Sequence, residues 1–241
     1  MSEDKPPEEK RRWKGPPKTA KADSGRGGEG KTQHAFRAKS ESSKKWLERQ
    51  LNDPYVRRAK ADGWRARAAF KLLELDERFS LLRKGQRIVD LGAAPGGWAQ
   101  VCVKTGAGRI VGIDLLPVEP LVGVTFLQKD FLDDDAGEQL MRLLGGAPEL
   151  VLSDMAANTT GHTRTDQIKT GALADVAAHF AMDVLAPGGA FVTKAFQGGV
   201  DTSLLSDLKQ AFATVRHAKP PASRQESSEV YLVAQGFKGR V

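Results

Sequence analysis

Short apolar runs that end in a charged residue recur along this chain. Arg87-Ile88-Val89-Asp90-Leu91 is the first, followed by runs ending in Asp114, Asp130, Asp154 and Lys194. Each has the length and β-branched content of a buried strand bounded by turn residues, which predicts strands at 87–91, 109–114, 124–130, 149–154 and 190–196. Between them the apolar spacing becomes helical. Ala66, Ala69, Phe70 and Leu73 fall at i, i+3, i+4 and i+7, predicting a helix over 67–79. Leu173, Val176, Ala177, Phe180, Ala181, Val184 and Leu185 form the cleanest stripe, halted by Pro187-Gly188-Gly189. Further helices are expected to open near Gly96 and to cover 137–145 and 203–213, with two last strands near 214–219 and 229–235.

Strands alternating with helices imply an α/β fold, Rossmann-like and doubly wound around a mostly parallel, seven-stranded sheet. In such a sheet the carboxyl ends of the strands form one rim, where ligands bind. Charges at that rim of an apolar sheet mark a site. Glu229 begins its strand rather than ending it. An antiparallel last strand would bring it to the same rim, where it is expected to face Lys194.

Composition adds a partner class. The 241 residues are 28% charged and 40% hydrophobic, with a formal net charge of +7 and a pI near 9.5, a balance that favours an anionic partner, nucleic acid first. Residues 1–42 lack apolar periodicity and are expected to be a disordered basic tail ahead of a single domain over 43–241. Within 44–71, Lys44, Lys45, Arg57, Arg58, Arg65 and Arg67 are interleaved with Trp46, Tyr55 and Trp64, a pattern suited to RNA phosphates and bases. The single cysteine, Cys102, sits among apolar residues and fits a reducing compartment. With no membrane-length apolar run and no signal peptide, a cytoplasmic location is expected. His34, His162, His179 and His217 have no ligand spacing, so no metal is expected, and Asp133-Asp134-Asp135 is expected to cap the following helix.

The turn from Asp90 to Gly97, Asp-Leu-Gly-Ala-Ala-Pro-Gly-Gly, lets backbone approach a ligand closely. It lacks the second glycine of the dinucleotide fingerprint, where a pyrophosphate must approach, because Ala94 stands there. That disfavours a nicotinamide-dependent dehydrogenase. Asp114, about 20 residues on, sits where an acid accepts ribose hydroxyls. Asp130 can accept from an adenine amine with Phe131 alongside. Adenosine without phosphate points to S-adenosylmethionine, with Gly92, Gly96 and Trp98 as further candidates to line its pocket.

These residues resemble a known family. Arg65 to Leu72, Asp90 to Trp98, Asp114-Leu115-Leu116-Pro117, Ser153-Asp154-Met155-Ala156, Lys194 to Gly198 and Ser223-Arg224 followed by Ser228-Glu229-Val230-Tyr231 look like the FtsJ/RrmJ ribosomal RNA 2'-O-methyltransferases. The resemblance runs from Lys44 to Phe237. It implies a catalytic set at Lys71, Asp154, Lys194 and Glu229, and a cofactor site on Gly96, Trp98, Asp114, Asp130 and Asp154. It further implies a monomer that methylates a uridine ribose of large-subunit (23S) ribosomal RNA on the assembling subunit, with Arg224 among the RNA contacts. Ala157 departs from the proline that bacterial members usually carry there. A retired enzyme serving only as an RNA-binding assembly factor is the rival reading, and it would be free to lose those four residues.

The chemistry agrees with the set. A ribose hydroxyl needs a base, and Lys194 is the candidate. Its amine must be neutral; burial and the positive Lys71 favour that form, while Asp154 and Glu229 oppose it.

Overall fold

The computed structural model describes residues 53–157, 162–197 and 202–239. Lys44, Lys45, Trp46 and the expected tail over 1–42 lie outside the described residues. The elements are α1 (Pro54–Ala61), α2 (Ala68–Phe79), β1 (Arg87–Leu91), α3 (Gly97–Lys104), β2 (Arg109–Asp114), β3 (Val124–Gln128) and α4 (Ala136–Leu144). They continue with β4 (Leu150–Ser153), α5 (Thr163–Val184), β5 (Ala190–Phe196), α6 (Thr202–Ala211), β6 (Phe212–Ala218) and β7 (Glu229–Phe237).

The strands form one seven-stranded sheet in the order β3-β2-β1-β4-β5-β7-β6. All neighbours are parallel except β7, which runs antiparallel to both β5 and β6. The order reverses between β1 and β4, so the crevice outside their carboxyl ends is the place where this architecture binds ligands.

Side-chain alternation divides the core into two layers. Ile88, Ile110, Leu150, Leu152, Val192, Tyr231 and Val233 pack towards α2 and α3. Val89, Val111, Ile113, Val151, Phe191 and Leu232 pack towards α4, α5 and α6. Both faces are therefore covered, which explains why the strands read as unbroken apolar runs.

Two elements differ from expectation. α1 was not expected, because of its residues only Ala59 is buried; its start is fixed by the Asp53 carboxylate, which accepts from the Tyr55 amide, and by Pro54 at the first helical position. α5 begins a full ten residues before the apolar stripe, at Thr163. Its buried face is made of Ala174, Ala177, Ala178, Ala181 and Leu185, while Phe180 and Val184 pack at the margin. Small residues let this helix lie close to the sheet.

Candidate active site

Strand parity puts the predicted charges on one face of the rim. Asp90, Asp114, Asp154 and Lys194 share the parity of Ile88, Ile110, Leu152 and Val192, so all four project towards α2 and α3. Glu229 and Tyr231 share the parity of Val233 on β7 and project the same way. Lys71, from α2, meets them there.

The four expected catalytic residues come together. The Lys194 ammonium nitrogen donates to the Asp154 backbone carbonyl at 2.5 Å and lies 3.1 Å from Asp154 Oδ1. Lys71 Nζ sits 2.8 and 2.9 Å from the two Glu229 oxygens and 4.0 Å from Asp154 Oδ1. One pairing differs from expectation. The cross-strand partner of Lys194 is Tyr231, and Glu229 stands opposite Phe196. The strand register thus offsets Glu229 by one pleat from Lys194, and its carboxylate goes to Lys71 instead.

Tyr231 links the two halves and was missed in the sequence. Its hydroxyl donates to Asp154 Oδ1 at 2.7 Å and accepts from Lys71 Nζ at 3.0 Å. Burial, with Asp154 and Glu229 close by, pushes the phenol well above its usual range, so it stays a donor. For Asp154 burial acts upward, but Lys194, Lys71 and the Tyr231 hydroxyl outweigh it and hold the carboxyl below its usual range. Asp154 is therefore ionised at neutral pH.

Next to this network lies the glycine-rich turn. Gly92 has φ +79°, and a Cβ there would come within 2.9 Å of the Met155 backbone nitrogen, so the turn can pack against the end of β4 only with glycine. Gly96, at φ +99°, begins α3, and a Cβ would meet the Arg65 guanidinium at 2.8 Å. Asp114 accepts from the amides of Ala94 and Leu116, both at 2.8 Å, which occupies the Ala94 N–H that a pyrophosphate would need. Asp130 lies just past β3 and accepts from Leu132, while Phe131 packs edge-on against Phe180 in the opposite layer. Trp98 is buried, donates to the Ala68 carbonyl and packs on Tyr231, so it braces α3 against α2 and Tyr231.

Asp90 was visible as a strand-end acid, yet the sequence does not show its state. It is 1% exposed, and among the described residues neither carboxyl oxygen meets a partner in good hydrogen-bond geometry, the Ala99 amide exerting only a minor downward pull. Burial, then the nearby Asp154 and Asp114 carboxylates, push it up to about 7. An orphaned acid beneath the turn is what a cationic or hydrogen-donating ligand would satisfy.

Comparison with known proteins then decides the family. The profile described as FtsJ-like methyltransferase matches residues 64–237. The chain belongs to this family. A Granulibacter bethesdensis protein named ribosomal RNA large subunit methyltransferase E is 61% identical over 202 residues, covering 84% of this chain and 88% of its own. A Novosphingobium aromaticivorans protein of the same name is 63% identical over 200 residues, covering 83% and 90%. Among solved structures, a Plasmodium falciparum protein assigned as a ribosomal RNA methyltransferase superposes with a TM-score of 0.64 at 30% identity, covering 73% of this chain and 100% of its own.

Around this FtsJ-like core the expected RNA-contacting residues divide. Arg57 and Arg58 are exposed on α1, with Arg58 stacked over Phe70 and beside Asp62. Arg65 instead clamps the loop after β2, donating to the carbonyls of Glu119 and Pro120 at 2.6 and 2.7 Å. Arg67 and Arg224 both reach Asp53, at 3.1 and 3.4 Å. Tyr55 and Trp64 pack against Phe70, and Lys104 covers Trp64 at 3.9 Å.

One loop also differs from expectation. Asp133 and Asp135 pair with Lys129 at 3.3 and 2.9 Å, and no side chain caps α4. The Ala157 amide donates to Thr170 of α5 at 3.3 Å, a tether that proline at this position could not make. Among the described residues no group of acidic, histidine or cysteine side chains could hold a metal, and no helix is long and apolar enough to cross a membrane.

Proposed function

We propose that this protein methylates the 2'-hydroxyl of a uridine ribose in large-subunit (23S) ribosomal RNA, using S-adenosylmethionine. It acts as a monomer in the cytoplasm, on the assembling subunit. The observation that carries this reading is the buried Lys194 amine, 3.1 Å from Asp154 at the ligand-binding rim and joined through Tyr231 to Lys71 and Glu229. The names of the relatives support the substrate class.

The site's residues fit the cofactor. Asp90 offers a buried acid, Asp114 has lone pairs left for ribose hydroxyls, and Gly92 and Gly96 hold the turn in its positive-φ shape at the rim. Asp130, Asp154 and Trp98 complete its surroundings. When bound, S-adenosylmethionine supplies a methyl carbon whose bond to sulfur breaks with the electron pair going to sulfur. The protein holds the ribose oxygen in line with that carbon, and positioning of this kind contributes up to roughly 7–11 kcal/mol. Lys194, having first released its own proton to solvent, would accept the hydroxyl proton through its freed lone pair as the new oxygen–carbon bond forms. Asp154 orients Lys194, while Glu229 and Tyr231 hold Lys71, whose charge steadies the developing oxyanion.

Mapping ribose methylation on ribosomal RNA from cells with and without this protein tests the reading. One 2'-O-methyluridine of the large-subunit RNA should vanish on deletion and return on complementation. An unchanged methylation map would refute it.

A further inference from the structure

The link between α1 and α2 reaches both loops that flank the proposed cofactor crevice. Arg65 leaves this link and aims its guanidinium at the loop after β2. Nη1 donates to the Glu119 carbonyl at 2.6 Å and Nη2 to the Pro120 carbonyl at 2.7 Å. Nη1 also lies 3.5 Å from the carbonyl of Pro95 in the glycine-rich turn. One side chain thus touches both walls.

The loop depends on this fork. Pro117 and Pro120 have no N–H to donate, and among the described residues no other hydrogen bond ties residues 117–120 to the rest of the protein. The two ends of the loop are fixed separately, the Leu116 amide donating to Asp114 Oδ1 and the Val124 amide to the Leu121 carbonyl. Arg65 is itself held. Its amide donates to Gln100 Oε1 at 2.9 Å, and Gln100 Nε2 donates to the Gly63 carbonyl at 2.8 Å, so α3 pins the link on both sides of Trp64. The approach is closest at Gly96, where a Cβ would meet Arg65 Nη1 at 2.8 Å and Val118 Cγ1 at 3.3 Å. The bare turn therefore makes room for the arginine and the loop together.

We propose that Arg65 is a positioning residue for the cofactor, latching the loop after β2 against the glycine-rich turn so that the crevice is shaped before S-adenosylmethionine enters. Asp114 opens that loop and accepts from the Ala94 amide of the turn, so the latch fixes the surroundings of the acid expected to take the ribose hydroxyls. Order present in the free protein is order that binding need not supply. The inference rests on the reading of this crevice as an S-adenosylmethionine site. It gives Arg65 a role other than the RNA contact that its place in the basic segment suggested. The two roles differ chemically: a planar fork bridges two carbonyls at once, whereas a phosphate contact tolerates the point charge of lysine.

Arg65→Lys and Arg65→Ala in the full-length protein test it. Calorimetric affinity for S-adenosylmethionine, measured without RNA, should fall about tenfold in both, as expected for a lost charge-assisted hydrogen bond. With unmethylated large-subunit particles, KM for the cofactor should rise by the same factor while kcat at saturating cofactor stays near wild type. In the ligand-free variants, hydrogen exchange should quicken at the Leu116 and Val124 amides. Affinity for a short single-stranded RNA and its dependence on salt should match wild type. Wild-type cofactor affinity in Arg65→Lys would overturn the proposal. So would a slope of log RNA affinity against log salt that shrinks by about 0.7 in Arg65→Ala, the mark of a lost phosphate contact. If Arg65→Ala does not fold, judged by circular dichroism, Arg65→Lys decides alone. A wild-type protein that binds the cofactor but leaves the particles unmethylated would refute the functional reading, and the cofactor affinities of the variants would still judge the latch. Absence of cofactor binding in the wild type would overturn both.

Discussion

Asp90 is a buried acid that its surroundings hold near neutrality. Its folded value of about 7 exceeds the ordinary 3.8, so the folded chain holds a proton that the unfolded chain releases. The favourable protonated form is therefore complete below pH 4, and stability is lost as pH rises from there to about 7. Asp90→Asn should remove this slope, so that denaturant unfolding at pH 8 finds the variant gaining on wild type by a few kcal/mol relative to pH 5, on the order expected from about 1.4 kcal/mol per unit. Calorimetry should also show cofactor affinity rising through pH 7 in the wild type and flat in the variant. A parallel pH profile for the two proteins would contradict this account of the buried acid. Such states were not legible in the sequence. The acids and lysines at strand ends were, because a charge that closes an apolar run is conspicuous. Tyr231 was not, because within an alternating strand an inward tyrosine reads as core, and only the register with Lys194 reveals its hydroxyl.

At the scale of elements, legibility followed apolar content. The central strands β1, β2, β4 and β5 were readable because both of their faces are buried, leaving runs with few interruptions. α2 and the second half of α5 were readable from their stripes. α1 was not, since it buries little more than Ala59, and its Asp53-Pro54 start was the only signal. The first half of α5 was hidden by polar residues, and the burial of its second half rests on alanine rather than on the larger apolar side chains of the stripe. This makes a definite expectation. Ala177 is fully buried under the sheet, so Ala177→Leu should cost about 1–3 kcal/mol in chemical denaturation through overpacking. The same change at the exposed His179 on this helix should cost little. Equal effects at the two positions would mean that α5 does not press on the sheet through its alanines.

For the whole molecule, one topological feature assembles the site. Four parallel strands, β1, β2, β4 and β5, deliver Asp90, Asp114 and Asp154 to the rim with Lys194 beside them, and the antiparallel β7 brings Glu229 and Tyr231 to that rim from the other chain direction. α2 then closes the set with Lys71 and carries the basic α1 alongside. The expected antiparallel last strand was therefore the inference on which the site depended, although it placed Glu229 one pleat from where its carboxylate is used. The most direct test is single-turnover methyl transfer to unmethylated large-subunit particles by wild type and Lys194→Ala, each saturated with S-adenosylmethionine. Cofactor affinity should be near wild type while transfer falls by about 10²–10⁴-fold. Transfer at the wild-type rate in that variant would contradict the assignment of the base.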